Sequence, residues 1–233
     1  MSSLQALVSL YSFYDQLTCN MPVACGPGCA TCCSINVSVT SLEVAYLLQH
    51  PVLADMGETI QKDIETAAEN NHFIPTCTTN KQAQLCLARE EPMVESGQHG
   101  TGRCPLLDAR GMCKIYDNRP FSCRAMLSTR PCRQDGEASM VPFLYSVNLA
   151  MYQLIEHLDH RGTSGNMLDM LTDRQAQLIA NREIPGFFID PSERVRFQRL
   201  LDKLKTIPTA HGFLADFFPQ HIFQLNETHS PYN

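Results

Sequence analysis

The chain has 233 residues, enough for one large domain or two small ones, and its 18 Lys and Arg against 24 Asp and Glu leave a net charge of −6. This balance excludes the broadly basic surface that general binding to nucleic acids or to anionic membranes requires. A hydrophobic content of 44% excludes a disordered chain, and eleven cysteines in a chain without tryptophan remain to be explained.

Neither a secretory signal nor a membrane span is visible in the sequence. The first 61 residues contain no Lys or Arg, and no apolar run reaches the roughly 18 residues that a bilayer demands. We therefore expect a cytoplasmic protein with neither a membrane nor a nucleic acid among its partners. Disulfides are rare in the cytosol, where clustered cysteines usually bind metal or take part in redox chemistry.

Apolar periodicity predicts helices along most of the chain. The first helix follows Ser3, and its apolar stripe at helical spacing consists of Leu4, Leu7, Val8, Tyr11 and Tyr14. The second begins at Thr40, because Glu43 lies three residues further on and the two can form a capping box, and it ends at Pro51. Further helices are expected over residues 58–70, 80–90, 141–160, 166–181, 192–205 and 211–225.

Strand signals are few and lie near the cysteines. Residues 35–39 alternate between apolar and polar and predict one short strand, and residues 106–116 are typical of a small hairpin that turns at Gly111. The predicted fold class is therefore mainly α, a compact helical domain with a short strand and a hairpin around a cysteine-rich metal site. We expect residues 1–135 to form the cysteine-rich metal-binding region and residues 136–233 a helical packing region of the same compact unit.

A first group of cysteines lies within nine residues, in the segment Cys25-Gly-Pro-Gly-Cys29-Ala-Thr-Cys32-Cys33. The spacing of Cys29 and Cys32 lets two thiolates converge on one ion across a tight turn, and the bend at residues 26–28 brings Cys25 round. The adjacent side chains of Cys32 and Cys33 diverge, so we expect one of them to turn to a second metal, to a polynuclear cluster or to the core. No Lys or Arg is near in sequence, which leaves metal as the counter-charge.

A second group comprises Cys104, Cys113, Cys123 and Cys132, separated by gaps of eight or nine residues. These gaps are too long for a zinc knuckle alone, so the fold must bring the thiols together, and we expect them to meet the first group in space. Seven cations lie between residues 103 and 133, against two Asp residues. Because a thiolate-rich metal centre is net anionic, Arg119 and Arg124, which bracket Cys123, are candidate cofactor-binding residues.

Other candidate groups carry weaker signals. Cys19, Cys77 and Cys86 lack partner spacing, and burial as small hydrophobic side chains explains them as well as metal binding does. His157 and His160 could form a metal pair on neighbouring turns of a helix. Because the HExxH spacing is absent, a solvated helix end is the better interpretation.

Three stretches surround the later cysteines: Cys104-Pro-Leu106, Cys113-Lys-Ile-Tyr116 and Arg119-Pro-Phe-Ser-Cys123-Arg124. The first group of cysteines is followed by an apolar strand and by a helix start at Thr40-x-x-Glu43. In this order of motifs the sequence resembles the CxxCxxCC family of zinc- or iron-chelating domain proteins, which are often described as Fe–S oxidoreductases. The resemblance spans about residues 25–124, and Cys132 lies outside it.

The resemblance implies a metal site rather than one reaction, because the flagellin lysine methylases carry a related cysteine module. Eight thiols, the absence of interleaved histidine and the flanking arginines favour an iron–sulfur cluster, [4Fe–4S] first of all, with a redox or cluster-dependent role such as that of an Fe–S oxidoreductase. A zinc- or iron-chelating module without turnover is the first alternative, since two Cys₄ sites would use the same eight thiols. The second is an accessory or catalytic subunit of protein modification.

Overall fold

Helices make up most of the regular structure in this computed structural model, which describes residues 2–94, 99–132, 138–174, 178–187, 189–210 and 212–225. The helices are α1 (Ser3–Thr18), α2 (Ser41–Leu47), α3 (Pro51–Ala54), α4 (Glu58–Ala68), α5 (Thr79–Leu87), α6 (Phe121–Ala125), α7 (Pro142–Leu158), α8 (Met167–Leu171) and α9 (Arg194–Lys205). The strands are β1 (Ser38–Thr40), β2 (Thr163–Asn166), β3 (Ile179–Ala180), β4 (Pro208–Thr209) and β5 (Gly212–Phe213). Within these ranges, no helix is long and apolar enough to cross a bilayer.

A first hydrophobic core joins α1 to α7, α9 and the C-terminal turns. The predicted α1 stripe supplies Leu7, Tyr11 and Tyr14 to this core, whereas Val8 is 39% exposed. The Tyr14 hydroxyl donates a hydrogen bond to Asn148 Oδ1 on α7 (2.7 Å), so the buried phenol keeps a partner. Residues from both sides of the predicted division at residue 135 share this core.

A second core lies under the cysteine-rich segments. Its fully buried members come from the segment around β1, from α2 and α4, from the two later cysteine stretches and from α8: Ile35, Val39, Leu47, Ile64, Leu106, Ile115 and Leu168. Cys104, Cys113 and Cys123 pack against this core as partly buried side chains. The second core therefore provides the platform on which these three thiols are held.

The start of α2 confirms the predicted capping box. The Thr40 N–H donates to Glu43 Oε2 (2.9 Å), and the Glu43 N–H donates to Thr40 Oγ1 (3.2 Å). Each side chain thereby satisfies a backbone donor that the first helical turn leaves free. β1 runs directly into this cap, so the predicted strand is present but shorter than the alternation in residues 35–39 suggested.

The helix predicted over residues 166–181 is wrong for most of its length. α8 ends after Leu171, because Asp173 adopts a left-handed backbone conformation (φ 58°) that stops helical hydrogen bonding. The chain then returns as β3, which pairs antiparallel with β2, and β2 pairs antiparallel with β1. Residues 175–177 lie outside the described ranges.

The helix predicted over residues 211–225 is also wrong. The chain forms the β4–β5 hairpin and then two short 3₁₀ turns, Leu214–Phe217 and Gln220–Phe223. Pro219 separates the turns, since a proline inside a helix removes a hydrogen-bond donor and clashes with the preceding turn. The neighbouring prediction over 192–205 is confirmed by α9.

Candidate metal centre

The first cysteine group lies on a loop built from consecutive tight turns. The Cys29 N–H donates to the Gly26 carbonyl (2.9 Å), and the Cys33 N–H donates to the Ala30 carbonyl (3.2 Å). Gly28 has φ 78°, a left-handed conformation that glycine adopts at little cost. The loop thus folds its four cysteines into a small volume without a helix or strand of its own.

The second group joins this loop through a short antiparallel contact. The Cys104 N–H donates to the Cys33 carbonyl (3.1 Å), and the Ile35 N–H donates to the Gly102 carbonyl (3.1 Å). A Cβ on Gly102 would lie 2.6 Å from Ile35 Cδ1, so a larger residue there would force the Ile35 side chain to move. The backbones of Cys33 and Cys104, about seventy residues apart in the chain, therefore lie side by side.

Cys113 lies on a turn and Cys123 lies at the start of a helix, and both thiols lie near Cys33. The predicted hairpin is reduced to one antiparallel bridge, between Leu107 and Cys113, and it turns at Gly111 as expected. Cys123 lies in the first turn of α6, where its N–H donates to the Pro120 carbonyl (3.0 Å).

Electrostatic interactions link the eight candidate thiols in two overlapping sets. Burial raises the pKa of Cys25, and the neighbouring thiols of Cys29, Cys32 and Cys132 raise it further. We call these four residues the Cys25 quartet. A hydrogen bond with Cys32 lowers the pKa of Cys33, while burial and the thiols of Cys123, Cys104 and Cys113 raise it; Cys33 and these last three residues are the Cys33 quartet.

The two quartets touch at the adjacent pair Cys32 and Cys33. A hydrogen bond between the two thiols raises the pKa of Cys32 and lowers that of Cys33, so Cys33 is the better thiolate of the two. The charge of Cys32 also reaches Cys123, whose pKa is raised first by burial and then by Cys104 and Cys113. This hydrogen bond corrects the expectation that the adjacent side chains of Cys32 and Cys33 diverge.

The donor chemistry of both quartets suits a soft or borderline metal. Burial and mutual repulsion disfavour several thiolates in one place, and a bound cation reverses both effects. In the part of the chain that the structure describes, no three His, Cys, Asp or Glu side chains are already gathered to hold one ion. The thiols are therefore neighbours whose side chains must close in for coordination.

Arg119 is the arginine that acts on these thiols. Its charge lowers the pKa of Cys32, Cys113 and Cys123, against larger effects of hydrogen bonding or burial that raise them. The guanidinium stacks on Tyr116, 4.1 Å from the ring centroid. Its Nε is buried and has no hydrogen-bond partner among the described residues.

The guanidinium of Arg124 is hydrogen-bonded to other groups of the protein. Its Nε donates to the Arg119 carbonyl (3.0 Å), Nη1 to Asp15 Oδ2 (2.6 Å) and Nη2 to the Asp117 carbonyl (2.6 Å). The group also lies over the ring of Tyr11 on α1, 4.4 Å from its centroid. These contacts attach α6 to α1, so the geometry gives Arg124 a structural role.

Cys19, Cys77, Cys86 and His157 belong to neither quartet. Cys19 is exposed and its Sγ donates to the Gln16 carbonyl (3.2 Å), whereas Cys77 and Cys86 are half-buried. His157 is 7% exposed, which corrects the predicted solvated helix end. Its Nδ1 accepts the Ile184 N–H (3.1 Å), and burial lowers its pKa. A ring nitrogen that accepts from the backbone is not free to bind metal.

A cavity of about 710 Å³ lies directly beside the thiols. Cys32, Cys33, Cys123 and Cys132 form part of its wall, which β1, α7 and the segment 73–79 complete. No motif predicts this cavity, because its walls come from segments that lie far apart in the chain. The sequence signals at the wall are these cysteines and the capping box that contains Glu43.

Residues 24–141, just over half of the chain, match the CxxCxxCC family, which is described as a "Putative zinc- or iron-chelating domain". The chain belongs to the CxxCxxCC family. The match contains every member of both quartets, so Cys132 lies inside the family domain and not outside it as the shorter resemblance suggested. No curated protein and no solved structure was found to match.

The CxxCxxCC domain has contacts that close it on itself and one that joins it to a neighbouring helix. Within the domain, Ala24 donates its N–H to the Ser128 carbonyl (2.7 Å), and the Ser128 N–H donates to Cys25 Sγ (3.4 Å). Arg124 connects the domain to α1, which precedes it, and α7 begins directly after its last matched residue. Metal chelation, by zinc or iron, is therefore the function that membership of this family indicates.

Proposed function

We propose that this CxxCxxCC protein carries an iron–sulfur cluster, [4Fe–4S], in a redox or cluster-dependent role in the cytoplasm. The Cys33 quartet ligates the cluster, and the Cys25 quartet holds a second metal ion. The observation that supports this assignment is the grouping of the thiols, since Cys33 interacts with Cys104, Cys113 and Cys123 as well as with its neighbour Cys32, and Cys25 interacts with Cys29, Cys32 and Cys132. Four thiolates are the usual ligand set of such a cluster.

Charge favours the Cys33 quartet as the cluster site. A [4Fe–4S] centre with four thiolates has a net charge of about −2, and it supplies one-electron transfer when bound. Burial opposes this negative charge at Cys104, Cys113 and Cys123, and nearby cations offset it. Arg119 acts on Cys113 and Cys123, and Lys114 acts on Cys104. The chain thus places cations beside the more buried quartet.

A zinc- or iron-chelating module without turnover is the second candidate. The same grouping favours it, because structural zinc sites take four thiolates each and the chain offers two sets of four. Such a module would use the quartets to stabilise or deliver metal. The two candidates differ in whether sulfide and electron transfer are present.

Anaerobic purification followed by metal and sulfide analysis tests the proposal. We expect about four iron and four acid-labile sulfide per chain, a further metal ion, and a broad absorption band near ~400 nm. A colourless protein with about two zinc ions per chain would show that the iron–sulfur assignment is wrong and that the chelating module is right.

Replacing Arg119 by Gln should lower the reduction potential of the cluster, on the order of tens of millivolts, because a nearby positive charge stabilises the more negative reduced state. Arg119→Lys should restore most of the potential, since it keeps the charge. Arg110→Gln is the matched control, because the Arg110 side chain is 85% exposed and its ion pair is with Asp108. Protein-film voltammetry measures all three, and equal potentials for Arg119→Gln and Arg110→Gln would contradict the assignment.

A further inference from the structure

The cavity beside the thiols has the size of a small-molecule binding site. Its volume is about 710 Å³, within the roughly 300–1,000 Å³ of known ligand pockets. Four candidate ligands, Cys32, Cys33, Cys123 and Cys132, lie on its wall, and the chain reaches it from the cysteine-rich loop, β1, α6 and α7. A metal centre alone does not account for walls that extend as far as Glu156 and Ile179.

Several polar side chains on the wall are already hydrogen-bonded within the protein. The Asn36 side-chain amide donates to the Gly100 carbonyl (2.7 Å), and its Oδ1 accepts the N–H groups of Phe73 (2.9 Å) and Gly100 (3.0 Å). Glu43 Oε1 accepts the Tyr11 hydroxyl (2.7 Å) and the Phe121 N–H (2.8 Å), while Oε2 serves the capping box. Neither side chain has a strong hydrogen-bonding group left for a ligand.

The polar side chains of Glu156 and Ser122, which also line the cavity, are hydrogen-bonded within the protein as well. Glu156 Oε2 accepts the Asn80 N–H (2.7 Å), and Oε1 accepts the Arg182 N–H (2.8 Å). The Ser122 hydroxyl donates to the Ser38 carbonyl (2.6 Å). A ligand therefore meets these polar side chains mainly through their carbon atoms and through apolar neighbours on β1 and α7.

Charge on the wall also restricts the ligand. The described residues that line the cavity include no Lys or Arg, and among them only His99 can become cationic, so they offer a carboxylate or phosphate little counter-charge. Burial raises the pKa of the carboxyl groups of Glu43 and Glu156, and it raises the pKa of Tyr152 to about 12, so the site favours neutral forms of its own groups.

We propose that the cavity binds an uncharged, largely apolar organic molecule, which lies against the metal-bound thiolates of Cys32, Cys33 and Cys123. The contact with metal rests on the proposed function, whereas the cavity and its preference for an uncharged ligand do not. Shape and apolar contact provide the affinity, and the metal centre is the one polar end. A molecule bound there lies next to the metal centre, where electron transfer or ligand exchange would take place.

Fluorescence titration of the full-length protein, purified with its metal, tests the binding site. The probes are N-phenyl-1-naphthylamine, which is uncharged, and 8-anilinonaphthalene-1-sulfonate, a close analogue with a negative charge. We expect saturable binding of the uncharged probe and binding of the anionic probe weaker by about tenfold or more, which corresponds to about 1.4 kcal/mol. Equal affinities, or no saturable binding of the uncharged probe, would overturn the inference.

Two tryptophan substitutions on α7 locate the bound probe. Leu149 is 37% exposed and lines the cavity, so Leu149→Trp should fill part of it and weaken binding by about tenfold. Tyr145, one helical turn earlier, is 59% exposed and is not part of the cavity wall, so Tyr145→Trp is the control with unchanged binding. Unchanged binding in Leu149→Trp would place the probe elsewhere and overturn the assignment.

The absorption spectrum of the metal centre tests the contact with metal. Saturating N-phenyl-1-naphthylamine should change this spectrum in wild type and should have no effect in Leu149→Trp at the same probe concentration. A bound probe with an unchanged spectrum would overturn the placement against the thiolates. Probe binding by a protein that purifies without iron or zinc would overturn the proposed function and leave the cavity assignment standing.

Discussion

Replacing Cys33 by Ser is expected to remove the cluster and its absorption near ~400 nm while leaving the metal of the Cys25 quartet in place, and Cys25→Ser is expected to do the reverse. A serine hydroxyl is a poor ligand for iron or zinc compared with a thiolate, so each substitution opens the coordination of one site. Metal content per chain, measured by mass spectrometry of the two purified variants, shows which site has been lost.

Cys86→Ser is the control for this pair, because Cys86 is half-buried and belongs to neither quartet. Its metal content should equal that of the wild type. If either Cys33→Ser or Cys25→Ser released all of the metal, the eight thiols would form one polynuclear site. If both kept all of it, the quartets would not be metal ligands.

Arg124→Ala should lower the free energy of unfolding by about 3 kcal/mol without changing the spectrum of the metal centre. Arg124 is 5% exposed, and its loss leaves the carbonyls of Arg119 and Asp117 without their charged donor. The side chain of Asp15 is 47% exposed, so its ion pair contributes only a small part of the loss. Contact with the ring of Tyr11 contributes the rest.

Urea unfolding of Arg124→Ala and Arg110→Ala measures this effect. Arg110 carries the same charge on the same stretch, but its exposed side chain should change the unfolding free energy by no more than about 0.5 kcal/mol. The denaturant dependence should be the same for both variants. Equal stabilities of the two variants would contradict a structural role for Arg124. A changed metal spectrum in Arg124→Ala would indicate that Arg124 interacts with the metal centre, as the sequence predicted.

The elements that the sequence predicted well are those whose signals are local. The capping box of Thr40 and Glu43 is a contact over three residues, and it appears as expected. The helices predicted over 166–181 and 211–225 failed because distant contacts compete with helical periodicity. The side chain of Asn166 donates to the carbonyls of Ile35 (2.8 Å) and Phe73 (2.9 Å), which holds β2 beside β1 and leaves only α8 of the predicted helix.

The sequence by itself determined the family and the donor chemistry of this protein, because four thiols within nine residues and the later cysteine stretches are properties of the chain alone. The tertiary structure decided how the thiols are grouped. Cys33 lies with Cys104 because their backbones are hydrogen-bonded across some seventy residues. The tertiary structure also decided that Arg119 lowers the pKa of nearby thiols, whereas Arg124 attaches α6 to α1. It decided as well that a cavity lies beside the cysteines. Each of these depends on the path of the chain between remote segments, which no local pattern encodes.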